Sequence, residues 1–257
     1  MSRLGILNLL LFVTLLGLGA FVYFAPTPSK ETPQQSFDAV NAEQVTQILL
    51  QRNNLDDVKL EKINGHWMLN YRQQMLPAHQ WRIDNLLQLL QAKSEHRFDT
   101  QEPGKFGLAP PRAQIRFNDY TLLIGDNDPI QRQRYIAHNN TVMLVTDQYY
   151  IHLFADLTNY LSLSPLDDLT ITDVRIQQAN ITLQSDERKA WLDQWRHLQA
   201  LQVIAAQDIT SGRNIDIIYG NGQQLSLLLQ DKFLVRPDLA LAYELNDLQL
   251  QSLLQPQ

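Results

Sequence analysis

At 257 residues the chain is long enough for one large domain or two smaller ones, each burying a core. Its 21 Lys and Arg against 27 Asp and Glu give a net charge of -6, so no global basic field draws in nucleic acid, which is not expected as a partner. The absence of cysteine removes disulfides, thiolate nucleophiles and thiolate metal sites.

The first element is an apolar run. Residues 4–25, LGILNLLLFVTLLGLGAFVYFA, number 22, carry no charge and have only Asn8 and Thr14 as polar interruptions, a length that spans a bilayer. Arg3 precedes the run and the first basic residue after it is Lys30, which orients the N-terminus inside. The expectation is a single-pass anchor at 1–25 in the inner (cytoplasmic) membrane, with the remainder periplasmic or otherwise extracytoplasmic. A cleaved signal peptide is the alternative, with Gly17 and Gly19 as the small residues of a cleavage site. Phe21, Tyr23 and Phe24 carry the run on to the far interface and favour retention.

Residues 26–36 hold three prolines and no apolar periodicity, the pattern of a short extended tether. A folded region begins near Phe37. VTQILLQ, DDVKLEKI and HWMLNYR read as strands, the last two joined by Asn64-Gly65, a strong hairpin signal. HQWRIDNLLQLLQAK reads as a helix with Trp81, Leu86, Leu87, Leu89 and Leu90 on one face. Strands resume at RAQIRF, YTLLIG, RYIAH and TVMLVT, followed by a helical YYIHLFADLTNYL. In FGLAPPRAQIRF, from Phe106 to Phe117, Gly107 permits left-handed backbone and Pro110-Pro111 fixes the direction of entry into the next strand.

SPLDDL marks a linker at 164–171. After it, TDVRIQQ and ITLQ read as strands, and SDERKAWLDQWRHLQAL as a helix capped by Ser185 with Trp191, Trp195, Leu198 and Leu201 on one face. The order of elements then repeats that of the first half, with Phe233 matching Tyr135 at an offset of 98. The expected fold is therefore α+β: two related lobes of mainly antiparallel sheet with packed helices, at 37–163 and 172–257, arising by internal duplication.

An N-terminal span, NGHWMLN around Trp67, LPAHQ entering a Leu-rich helix, FGLAPPRAQIRF and YTLLIGDNDP together resemble the bacterial family known as domain of unknown function 4340. The similarity runs from about Val45 to Leu163 and is weaker beyond. The family has an acid where this chain has His79. The resemblance implies an envelope protein of unknown activity, some of whose relatives are encoded beside ABC-transport components.

Chemistry is sparse. His66, His79, His96, His138, His152 and His197 include no pair at the three- or four-residue spacing that places metal ligands on one helical face. Asp126, Asn127 and Asp128 beside Gly125 lack the distal Glu of a calcium loop and read as a turn. Asp167-Asp168 could serve acid–base chemistry, but beside Pro165 they read as a solvated linker. Trp191 and Trp195 could stack a sugar, yet their spacing is that of a buried stripe. The Asn139 and Asn180 sequons have meaning only in a eukaryotic secretory setting. No catalytic, cofactor or metal residue is assigned. The expected function is that of an accessory protein binding a membrane or envelope protein, in association with an ABC-type transport or envelope complex. The alternative is an enzyme acting on an envelope polymer, its acids and histidines brought together by the fold.

Overall fold

A computed structural model describes residues 11–17, 41–94, 96–130, 132–179, 181–206 and 211–255. The chain divides into one unit at Met1–Gln34 and a second at Gln35–Gln257. In the first, residues 11–17 are helical and exposed; the rest of the expected span, the tether and Asn180 lie outside the described residues. No helix among the described residues is long and apolar enough to cross a membrane.

The second unit is α+β, with two antiparallel sheets. Its strands are β1 (Gln47–Arg52), β2 (Leu55–Ile63), β3 (His66–Tyr71), β4 (Gln74–Pro77), β5 (Arg97–Asp99), β6 (Ala113–Phe117), β7 (Tyr120–Asn127), β8 (Gln133–His138) and β9 (Thr141–Thr146) in the first sheet. The second sheet holds β10 (Ile171–Ile176), β11 (Gln202–Ala205), β12 (Arg213–Tyr219), β13 (Gln224–Gln230), β14 (Phe233–Arg236) and β15 (Leu241–Glu244). The helices are α1 (Gln80–Gln88), α2 (Tyr150–Leu153), α3 (Ser185–Arg196) and α4 (Asp247–Leu254). Asn64 and Gly65 both take left-handed backbone and pair Ile63 with His66, the expected hairpin.

Strand order runs β4-β3-β2-β1-β6-β7-β8-β9-β5 in one sheet and β10-β12-β13-β14-β15-β11 in the other. Set aside β2 to β4, and the two orders are the same permutation of their strands along the chain. Each half also places one helix between its first and second strands, α1 or α3, and another after its last, α2 or α4. The offset between halves is not constant: Tyr135 faces Leu144 while Phe233 faces Glu244, so a shift of 98 on one strand becomes 100 on the next. The β14–β15 turn is the longer one.

One continuous apolar cluster takes in both sheets, from Leu50, Ile115 and Tyr160 to Ile215, Leu234 and Tyr243. The junction is also stitched by backbone. His79 N–H donates to Tyr160 O, Ser162 N–H to Pro77 O, and Ala200 N–H to Leu163 O. The 164–171 segment is correspondingly no free spacer: Pro165 and Leu166 are buried.

Several expectations differ from the structure for identifiable reasons. The stretch expected to be one helix from Tyr149 to Leu161 contains only the single turn α2, flanked by 3-10 turns at Asp147–Tyr149 and Leu157–Tyr160. Its carbonyls are drawn elsewhere: Arg82 donates to those of Ile151 (2.8 Å) and Asn159 (3.0 Å), and Arg52 to that of Ala155. Residues 181–184 join no strand, because the chain is already turning into α3. There Gln184, not Ser185, takes the cap position, and its N–H donates to Glu187 Oε2 at 2.9 Å. Leu201 is exposed rather than on the buried stripe of α3. Trp191 and Trp195 are buried as a stripe should be, with Trp191 Nε1 donating to Leu253 O at 2.9 Å.

The Gly- and Pro-rich entry to β6 acts as a clip over the outer face of the first sheet. Phe106 lies between Phe98 and Tyr135, at centroid distances of 5.2 and 4.9 Å, and Leu108 is buried against Ala137 and Val142. Gly107 has φ +65, and a Cβ there would lie closer than 3.0 Å to the Asp126 carboxylate. That carboxylate accepts from Arg112 at 2.5 Å. A Cβ on Gly125 would collide with the Phe106 carbonyl. Gly125 thus lets the clip and β7 touch backbone to backbone, and Gly107 makes room for the Asp126 carboxylate.

Candidate functional site

Two regions carry chemistry, and the first is built on α1 and α2. Ile83 and Leu86 turn into the core, which by helical spacing leaves Trp81 outward. Trp81 is 55% exposed, a correction to its expected place on the buried face. Beside it, Arg82 holds the Ile151 carbonyl, so α2 is fixed against α1 with Ile151 64% and Tyr150 45% exposed. Tyr150 stacks on Phe154 at 4.7 Å, and the Arg134 guanidinium lies 4.8 Å from the Tyr150 ring centroid. Arg134 is itself buried, bidentate to Asp147 (2.6 and 3.1 Å) and bonded to Gly125 O (2.8 Å), so the start of α2 is tied to the end of β7. Next to this, Ile130 is 86% exposed on the β7–β8 loop, whose Arg132 carbonyl accepts from Asp147 N–H.

Beneath the surface, Tyr160 is enclosed by two cations, Arg52 at 5.7 Å and Arg82 at 5.6 Å from its ring centroid. Burial pushes the Tyr160 phenol up to about 12 against the pull of both arginines, and its hydroxyl donates to the His152 carbonyl. His79 and His152, 73 residues apart, both pack on Trp81, at 5.9 and 4.9 Å between ring centroids. Both are held below the ordinary histidine range, first by burial and then by the Arg82 charge. The other four histidines stay apart from this pair. His138 stacks on Tyr120 at 4.0 Å, His197 Nδ1 donates to the Asp193 carbonyl at 3.0 Å, and His66 and His96 are exposed. Among the described residues no group of three or more His, Asp or Glu could hold a metal ion.

The second region is a cleft of about 600 Å³ at the sheet junction, with apolar walls that include Leu76, Leu161 and Tyr243. Asp167 and Asp168 stand at its edge with Arg196 and His197. Asp167 is not merely solvated: it accepts from the buried Arg236 at 2.8 Å, and Asp238 accepts from the same guanidinium at 2.7 Å. Partial burial works to raise the Asp238 carboxyl, but the hydrogen bonds and charge of Arg236 outweigh it and hold it below the usual range. Burial pushes Tyr243 up to about 12 and raises Tyr219. Each of these shifts moves the group's titration further from pH 7, so the carboxylate stays charged and the phenols stay protonated. None is poised to exchange protons near pH 7.

No family model, curated protein or solved structure matches the chain. The α1–α2 surface went unseen in the sequence because its exposed parts come from residue 81 and residues 150 and 151, and no local pattern links them. One signal was present: Trp81 lies two residues before Ile83, out of phase with the buried positions Ile83, Leu86 and Leu90.

Proposed function

We propose that the protein is a membrane-anchored, envelope-exposed accessory factor that acts by binding another membrane or envelope protein through the α1–α2 surface. The observation that carries this reading is the exposure of Trp81 on α1 and of Tyr150 and Ile151 on α2, two helices that Arg82 ties together through the Ile151 carbonyl while Arg134 anchors the start of α2. Large apolar side chains gathered on a rigid support cost solubility in a monomer and suit a protein interface. The apolar run at 4–25 supports the anchor, and the resemblance of the chain's motifs to the domain of unknown function 4340 family is the ground for the envelope setting and an association with ABC-type transport. The matching strand permutations of the two sheets support an origin by duplication of one α+β lobe, with β2 to β4 added to the first copy.

The enzyme alternative rests on the junction cleft, and mutation separates the two. Ile151→Glu places a charge on the docking surface without disturbing a buried contact, so stability should change by no more than about 0.5 kcal/mol. Complementation of a deletion strain by this variant should fail at native abundance. Asp168→Asn in the cleft should complement fully. The reverse pattern would move the function to the cleft and favour an enzyme.

A further inference from the structure

His152 is the one histidine in the core, 4% exposed, and its Nδ1 is buried with no hydrogen-bond partner. A neutral imidazole tolerates this, since it can keep its proton on Nε2 and leave Nδ1 as an unfilled acceptor. An imidazolium cannot, because it must carry a proton on Nδ1 as well, and that N–H would be buried without an acceptor. The charged groups facing the ring are also of the wrong sign. Arg82 from α1 acts on it directly, Arg52 from β1 reaches the neighbouring Leu153 carbonyl at 3.5 Å, and His79 packs on the same Trp81 at 5.9 Å. The turn at Leu157–Tyr160 contributes only the neutral Tyr160, whose hydroxyl is spent on the His152 carbonyl. On this ring the half-exposed Trp81 packs edge to face, at 4.9 Å between centroids and an interplanar angle of 70°.

We propose that His152 is an acid-operated latch for the α1–α2 surface: protonation drives its ring toward water and displaces Trp81, so the surface changes shape as the surroundings acidify. The closed arrangement binds fewer protons than the open one. It is therefore fully favoured above the solvated histidine pKa, about 6.5, and loses ground as pH falls below it. This goes beyond the binding role, since the latch operates whether or not a partner is present. It also gives His152 a use that no catalytic assignment supplies.

Tryptophan fluorescence of the full-length protein reads the latch directly, because Trp67, Trp191 and Trp195 are buried and Trp81 is not. Acrylamide quenching between pH 8 and pH 4.5, with Trp81→Phe as the subtraction, should show Trp81 becoming more accessible with a midpoint below 6.5. The transition should be lost in His152→Gln and retained in His79→Gln. A Trp81 signal flat across the range, or a transition that survives His152→Gln or vanishes with His79→Gln, overturns the proposal. Should His152→Gln fail to fold, proton NMR of the unmodified protein decides. The Trp81 indole and His152 ring resonances should titrate with one midpoint, and different midpoints would refute the coupling.

Discussion

Gly125→Val should be among the most damaging single changes in the protein, lowering stability by about 3 kcal/mol or more. The added side chain meets the Phe106 carbonyl and the Leu108 side chain, neither of which can yield without lifting the clip off the outer face of the first sheet. The consequence spreads because the Gly125 carbonyl also accepts from Arg134, which fixes α2. Gly107→Val should act similarly, since a β-branched residue resists φ +65 and its Cβ would strike Asp126. Gly65→Ala provides the contrast. It shares a positive φ, but nothing lies within 4 Å of the added methyl, so only the backbone strain of about 1–2 kcal/mol applies. Urea denaturation of the purified proteins should rank Gly125→Val and Gly107→Val well below Gly65→Ala. Equal midpoints would mean that the clip contributes nothing to holding the sheet.

The second large effect is expected at Arg236→Met, by about 2–3 kcal/mol. The guanidinium bonds Asp167 and Asp238 and reaches the Pro165 carbonyl at 3.3 Å, so it ties the sheet junction to the end of β14. Both carboxylates are about half exposed and recover solvation when the cation is removed, which keeps the cost below that of a fully buried pair. The pH dependence has a fixed sign. Asp238 is depressed in the folded protein, so its contribution is complete above the unfolded carboxylate pKa, about 3.9, and is lost as pH falls through the folded value. The difference between Arg236→Met and the unmodified protein should therefore shrink between pH 5 and pH 3. A difference that stays constant over this range would show that the ion pair is not what stabilises the junction.

Much of the architecture was legible because its signals are local. Asn64-Gly65 marks a hairpin by its backbone alone, and the alternation in RAQIRF and YTLLIG marks β6 and β7 by period. The FGL-x-PP element was legible as a turn at Gly107, but not as a clip, since that depends on the close approach of Gly125 some 18 residues later. The Ala109–Pro110 peptide bond is cis, a detail that reading the proline pair as fixing the direction of strand entry did not specify. The short α2 was overestimated because propensity does not report two arginines, from β1 and α1, competing for its carbonyls. Asp167 read as linker for a comparable reason: Arg236 is 69 residues away along the chain. The α1–α2 surface was the least legible feature, because exposure of Trp81 is a property of packing and not of composition.

Photo-crosslinking in living cells tests the central claim most directly. A photoreactive amino acid replacing Ile151 in the full-length protein, expressed at native abundance, should trap one discrete membrane or envelope protein. The same group at Glu61, on the sheet away from α1 and α2, should not trap it. A shared adduct profile at both positions, or an adduct at Ile151 containing only lipid or a second copy of the chain, would contradict binding of an envelope protein through this surface.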